Sequence, residues 1–208
     1  MTVPQDDEPG RSLITTLENP EFVDAVIEAG DMSIETLTDA LVHVPILKWV
    51  VAAGKTVSSV RDYFFVKRMA AFLSDFKALP AAERAGVIHR LDHEPEYAER
   101  AAEAVIMILD RVDSSLKATW VSRALRAYAA HHINATQLMR INAAIERMLT
   151  CDVEGIRSAF TAGPSINGTD PFAQAAISAG LAFSLAAYGG SVAAQTETYQ
   201  LFVQYLLD

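Results

Sequence analysis

The residues best suited to bind a metal form a short run of histidine and acidic side chains near the middle of the chain. His89, Asp92 and His93 fall within about one helical turn, and a histidine pair at i and i+4 can hold a transition metal on one helix face. A helix-borne metallohydrolase motif would place glutamate directly after the first histidine, where this chain has Arg90. These three residues are the candidate metal ligands. The alternative is a solvated helix end, because Pro95 follows two residues later.

Other reactive residue types stand alone. Cys151 is the single cysteine, which excludes an internal disulfide and a zinc-type cysteine cluster. His131 and His132 fall between two predicted helices, where histidine interacts well with a helix C-terminus. The stretch Gly54–Thr56 resembles the end of a phosphate loop, but Trp49 occupies the position of the first glycine. We therefore expect no catalytic centre and no cofactor, and predict that the chain is not an enzyme.

The segment 45–79 carries the one local excess of positive charge, six basic residues against two acidic ones. It could face nucleic acid, an acidic partner or an anionic membrane surface. Its candidate contacts to an anionic partner are Lys48, Lys55, Arg61, Lys67 and Arg68. The alternative is a solvated face balanced by the acidic stretch 83–110, which we favour because such charge runs usually pair or solvate.

Composition points to a soluble chain with much apolar side-chain surface to bury. Of the 208 residues, 51% are hydrophobic and 21% charged, so either the core is large or some apolar surface meets a partner. The net charge of −9 repels phosphate backbones, so nucleic-acid binding would need a local basic patch. No basic stretch followed by an apolar one opens the chain, and a cytoplasmic location is expected.

Capping residues and prolines predict an all-α, multi-helix bundle. Residues 1–12 are polar and acidic and are expected to be disordered. The predicted helix starts are Pro20, Ser33, Pro45, the residue after Pro80, Pro95, Asp113 or Ser114, Asn134, Asp152 and Pro171. The helix from Pro45 is the longest and reaches Leu79, with a kink expected at Gly54 or at the serine pair 58–59. Residues 104–109 are apolar all round, so we expect that helix to be surrounded.

The last part of the chain differs in character. The sequence predicts a bundle over 13–160, a loop over 161–170 and a small appendage over 171–208. In the appendage, a helix ends at Gly180, a hairpin turns at Gly189–Gly190 and a helix follows, an order we interpret as winged-helix-like. Residues 171–196 contain no charged side chain. A membrane-spanning segment is one reading of that fact, and a buried helix plus hairpin explains the residues better.

Several stretches resemble a bacterial all-helical family related to the TerB-like, tellurite-resistance fold. They are FLSDFKALPAAER (72–84), LDRVDSSLKATWVSRALRAY (109–128) and INATQLMRINAAIERM (133–148), with ISAGL (177–181) and TETYQLFVQYLL (196–207) similar to a related uncharacterised group. The resemblance over 63–160 implies a helical bundle. TerB-like proteins place acidic residues in a turn that here reads His-His-Ile-Asn (131–134), so no functional residue is carried across.

The function expected from the residues is a non-enzymatic interaction or regulatory module in the cytoplasm. By resemblance, it would belong to a bacterial stress or phage-related system. A protein partner or a second copy is the expected partner, and the candidate contacts for a homo-oligomer are Trp49, Phe64 and Trp120. Two alternatives stay open: a nucleic-acid-binding regulator that uses the basic segment 45–79, and a peripheral membrane effector that uses 45–79 or 171–196.

Overall fold

The computed structural model describes residues 9–33, 43–47, 60–93, 95–187 and 190–207. The chain falls into two compact units, residues 1–130 and residues 131–208. The helices described in the first unit are α1 (Pro9–Glu18), α2 (Pro20–Asp31), α3 (Val60–Lys77), α4 (Ala81–His93), α5 (Pro95–Arg111) and α6 (Ser115–Ala129). The protein is mostly helical, as the sequence predicts.

The first unit is built around α3, which packs against both α2 and α6, while α1 packs against α5. Met69, Phe72 and Leu73 of α3 are fully buried. Gly30 of α2 lies so close to α3 that a Cβ atom there would stand 2.5 Å from the Cβ of Ala70. Glycine at position 30 therefore permits the close packing of α2 on α3.

Helix starts are mostly where capping residues predict them. The side chains of Asn19, Ser114 and Asp170 accept a hydrogen bond from a first-turn N–H group at 2.9, 3.3 and 2.8 Å. Asn134 and Gln137 form both hydrogen bonds of a capping box, at 3.0 and 2.8 Å. Asp152 precedes its helix without a side-chain hydrogen bond to it. Local capping chemistry therefore defines most of these boundaries.

The N-terminal part differs from the prediction in one respect. Helix α1 begins at Pro9, so residues 9–12 of the stretch expected to be disordered are helical. Leu13, Ile14 and Leu17 are almost fully buried. Because α1 packs against α5, tertiary contact stabilises a helix that the polar residues at its start do not predict.

Part of the predicted helix pattern lies outside the described residues. Residues 34–42, which include most of the helix predicted from Ser33, are not described, and neither are residues 48–59 of the long predicted helix. Within the predicted range 45–79, residues 45–47 are helical and α3 covers Val60–Lys77. The expected kink at Gly54 or at residues 58–59 stays a prediction.

Helix α5 is not surrounded on every side. Val105, Ile106 and Leu109 are buried, as the apolar run 104–109 predicts, but Met107 is 48% exposed. The expectation that this helix lacks an outer face is therefore wrong at Met107, because a folded protein has too little polar surface to cover itself and leaves some apolar side chains exposed.

The second unit combines short helices with a three-stranded sheet. Its elements are α7 (Ala135–Arg147), α8 (Val153–Ala159), β1 (Ser165–Asn167), α9 (Pro171–Ala179), β2 (Ala182–Ala187), β3 (Gly190–Gln195) and α10 (Glu197–Phe202), with a π-helical turn over Val203–Leu207. The strands are antiparallel in the order β1-β3-β2. The predicted hairpin is confirmed as β2 and β3, and β1 is an additional strand.

The division of the chain differs from the predicted one at two points. Residues 131–160 belong to the second unit, because α7 packs against α9 and α10. The predicted loop 161–170 contains β1, which pairs with β3. A three-residue strand of sequence Ser-Ile-Asn offers too short a pattern to predict from alternation. Residues 171–196 form α9 and the hairpin, and none of the described helices is long and apolar enough to cross a membrane.

Candidate functional site

Four apolar residues lie together on one face of the small sheet. Opposing residues in an antiparallel pair point to the same face, and the register sets Phe183 opposite Ala194 and Leu185 opposite Val192. Phe183 and Leu185 are 46% and 45% exposed, whereas Val192 and Ala194 are half-buried. We call these four residues the hairpin surface.

The other face of the sheet is turned inward. Ala182 and Ala193 are 4% and 0% exposed, and α9 packs against both β2 and β3. Because successive side chains of a strand point to opposite faces, burial of these alanines places Phe183 and Leu185 on the outer face.

Both ends of the hairpin are held by specific contacts. Gly180 ends α9 in the left-handed conformation, with φ of 78°. The Thr196 hydroxyl donates to the carbonyl oxygen of Leu181 at 2.9 Å and accepts from the N–H of Tyr199 at 3.3 Å, so it joins the hairpin to α10. The N–H of Gly168 donates to the carbonyl oxygen of Ser191 at 2.8 Å. These bonds fix the orientation of the hairpin surface within its unit.

Strand β2 forms an edge of the sheet. In the order β1-β3-β2, the only strand beside it within the described part of the chain is β3. Edge strands in natural proteins are usually protected by lysine, proline or a bulge, whereas β2 reads Ala-Phe-Ser-Leu-Ala-Ala. The hairpin surface therefore adjoins an uncharged edge, which suits strand addition and apolar contact rather than acid–base chemistry.

Arg68, one of the candidate contacts to an anionic partner, is directed into the structure. It is 9% exposed, and its Nε donates to the carbonyl oxygen of Leu109 at 2.7 Å. Its Nη2 donates to the carbonyl oxygen of Asp110 at 3.3 Å. Burial lowers the pKa of the Arg68 guanidinium, and the Asp110 carboxylate opposes this shift. Arg68 thus caps the end of α5, and the prediction that it faces a partner is wrong.

The other basic residues of α3 have contacts within the first unit. Arg61 forms an ion pair with Asp110, with Nε and Oδ1 3.2 Å apart. Lys67 is half-buried, and its Nζ lies 4.9 Å from the ring centroid of Tyr63. The pairing of Arg61 with an acid from the stretch 83–110 supports the interpretation of a balanced charge run. Lys48 and Lys55 lie outside the described residues.

Lys67 also lines an open cleft of about 320 Å³ in the first unit. Small residues such as Gly30 and Ala70 contribute to it, together with Asp31 and Ser74. An ammonium and a carboxylate in one cleft could bind a small zwitterion. Asp31 and Ser74 are exposed, however, so water competes with any ligand for them. The cleft is a weaker candidate than the hairpin surface.

The histidine pair lies on α4. The rings of His89 and His93 stack with centroids 4.0 Å apart and an angle of 6° between their planes, and Nδ1 of His93 donates to the carbonyl oxygen of His89 at 3.0 Å. Parallel stacked rings direct their nitrogen lone pairs side by side rather than toward one point. The side chain of Asp92 lies outside the described part. Among the side chains that are described, no group of three or more histidine, cysteine or acidic residues could hold a metal ion.

The aromatic residues expected to join two copies are not equivalent. Trp120 is 3% exposed and therefore belongs to the buried part of the protein, so that prediction is wrong. Phe64 is 50% exposed on α3 and packs edge-on against Tyr63, with ring centroids 5.7 Å apart. Trp49 lies outside the described residues.

Sequence reasoning identified Phe183 and Leu185 as strand residues but not as a contact surface. The signal that could have found them is the uncharged stretch 171–196, which favours a buried helix plus hairpin and leaves a membrane-associating segment as the alternative. No protein-family model, curated protein or solved structure matches this chain. The candidate site therefore rests on geometry.

Proposed function

We propose that the chain is a non-enzymatic interaction module that binds a protein through the hairpin surface. The observation that carries this proposal is the position of Phe183 and Leu185, two large apolar residues nearly half exposed beside an uncharged sheet edge. Burial of apolar surface contributes about 25 cal/mol per Å², and clustered exposed apolar residues are typical of protein contact sites.

Two finer assignments belong to the same proposal. The sheet order β1-β3-β2, with α9 between β1 and the hairpin, supports a winged-helix-like second unit. The helical first unit supports a TerB-like bundle. The resemblance of residues 63–160 to that class is the ground for placing the protein in a bacterial cytoplasm, within a stress or phage-related system.

Charge favours a protein partner over the two alternatives. Residues 165–208 contain no lysine or arginine, and phosphate backbones are bound through basic side chains. In the first unit, Arg61 and Arg68 of the basic helix are engaged with α5. Anionic membranes also attract basic residues around an apolar face, which the uncharged stretch 171–196 does not supply.

Site-specific photocrosslinking in the producing cell tests this function. A photoreactive phenylalanine analogue replaces Phe183 in one variant and Thr161, an exposed residue outside the sheet, in the control. We expect one defined crosslinked protein, this chain or another, from position 183 and none from position 161. The proposal fails if position 183 gives no crosslinked protein, or if both positions give the same mixture.

A further inference from the structure

We draw no further inference here: the strongest candidate, the exposed apolar face of the hairpin formed by β2 and β3, belongs to the site already described, and nothing in the part of the chain that the structure describes shows what covers it.

Discussion

Helix α3 of the first unit and strand β2 of the second differ in the kind of side chain that they expose. The basic side chains of α3 are used within the protein: Arg68 bonds the end of α5, and Arg61 pairs with Asp110. Strand β2 has no charged side chain, and its Phe183 and Leu185 side chains are nearly half exposed on the outer face of the sheet. A local excess of charge thus marks a region of internal pairing here, and a lack of charge marks an exposed apolar surface.

The strongest test of this contrast is the removal of Arg68. Arg68→Ala leaves the carbonyl oxygens of Leu109 and Asp110 without a charged donor in a buried place, and hydrogen bonds to charged groups contribute about 1.5–3 kcal/mol each. We expect the free energy of unfolding of the first unit to fall by about 3 kcal/mol. Urea denaturation followed by tryptophan fluorescence measures it, because Trp49 and Trp120 both belong to residues 1–130.

Arg61→Ala is the matched control on the same helix. Its ion pair with Asp110 is exposed, and exposed pairs contribute about 0.2–1 kcal/mol. If Arg68→Ala lowers the free energy of unfolding no more than Arg61→Ala does, then Arg68 is not a structural residue. The basic face of α3 would then again be a candidate binding surface.

The second largest loss of stability is expected at Gly168, whose backbone lies close to β3. A Cβ atom at position 168 would lie 2.8 Å from the carbonyl oxygen of Ser191, so the backbone itself must move. We expect Gly168→Ala to destabilise the second unit by about 2 kcal/mol. Faster amide hydrogen exchange in β3 is the measurement.

Gly86→Ala supplies a control of opposite sign. Nothing lies within 4 Å of a Cβ atom at this position of α4, so alanine should stabilise the helix by about 0.5–1 kcal/mol. If Gly168→Ala leaves amide hydrogen exchange in β3 unchanged, the backbone at position 168 does not lie as close to Ser191 as the structure shows.

Local signals in the sequence predict much of this fold. Capping residues such as Asn19, Ser114 and Asn134 fix helix starts, because the hydrogen bonds involved span only two or three residues. Helix α1 and strand β1 could not be predicted in the same way. Each depends on a distant segment, α5 for the helix and β3 for the strand, and single-sequence patterns do not report such contacts.

The candidate site was less predictable than the fold. A count of charges cannot distinguish Arg68, which turns inward, from an arginine that faces solvent, because the direction depends on where α5 ends. Likewise the alternation at 181, 183 and 185 predicts a strand but not which of its faces is covered. That is decided by the packing of α9 against β2 and β3.

Thr196 connects the hairpin to α10 and gives an intermediate effect. Its hydroxyl accepts from the N–H of Tyr199 and donates to the carbonyl oxygen of Leu181. Thr196→Ala should cost about 1 kcal/mol, as for other N-cap residues, and Thr196→Ser should restore most of it. Hydrogen exchange at the start of α10 measures both variants. If both variants exchange faster than the wild type by the same amount, then the threonine methyl group stabilises the start of α10 and the hydroxyl does not.

The smallest expected effect on stability belongs to the hairpin surface itself. Phe183→Thr and Leu185→Thr keep a side chain suited to a strand, and both positions are nearly half exposed. Each should change the free energy of unfolding of the second unit by less than about 0.5 kcal/mol, as followed by hydrogen exchange. Leu185→Thr should also lower the yield of the protein crosslinked from position 183, because an apolar contact of the hairpin surface is lost. A large loss of stability would instead mean that these side chains support their own unit, and the contrast with α3 would disappear.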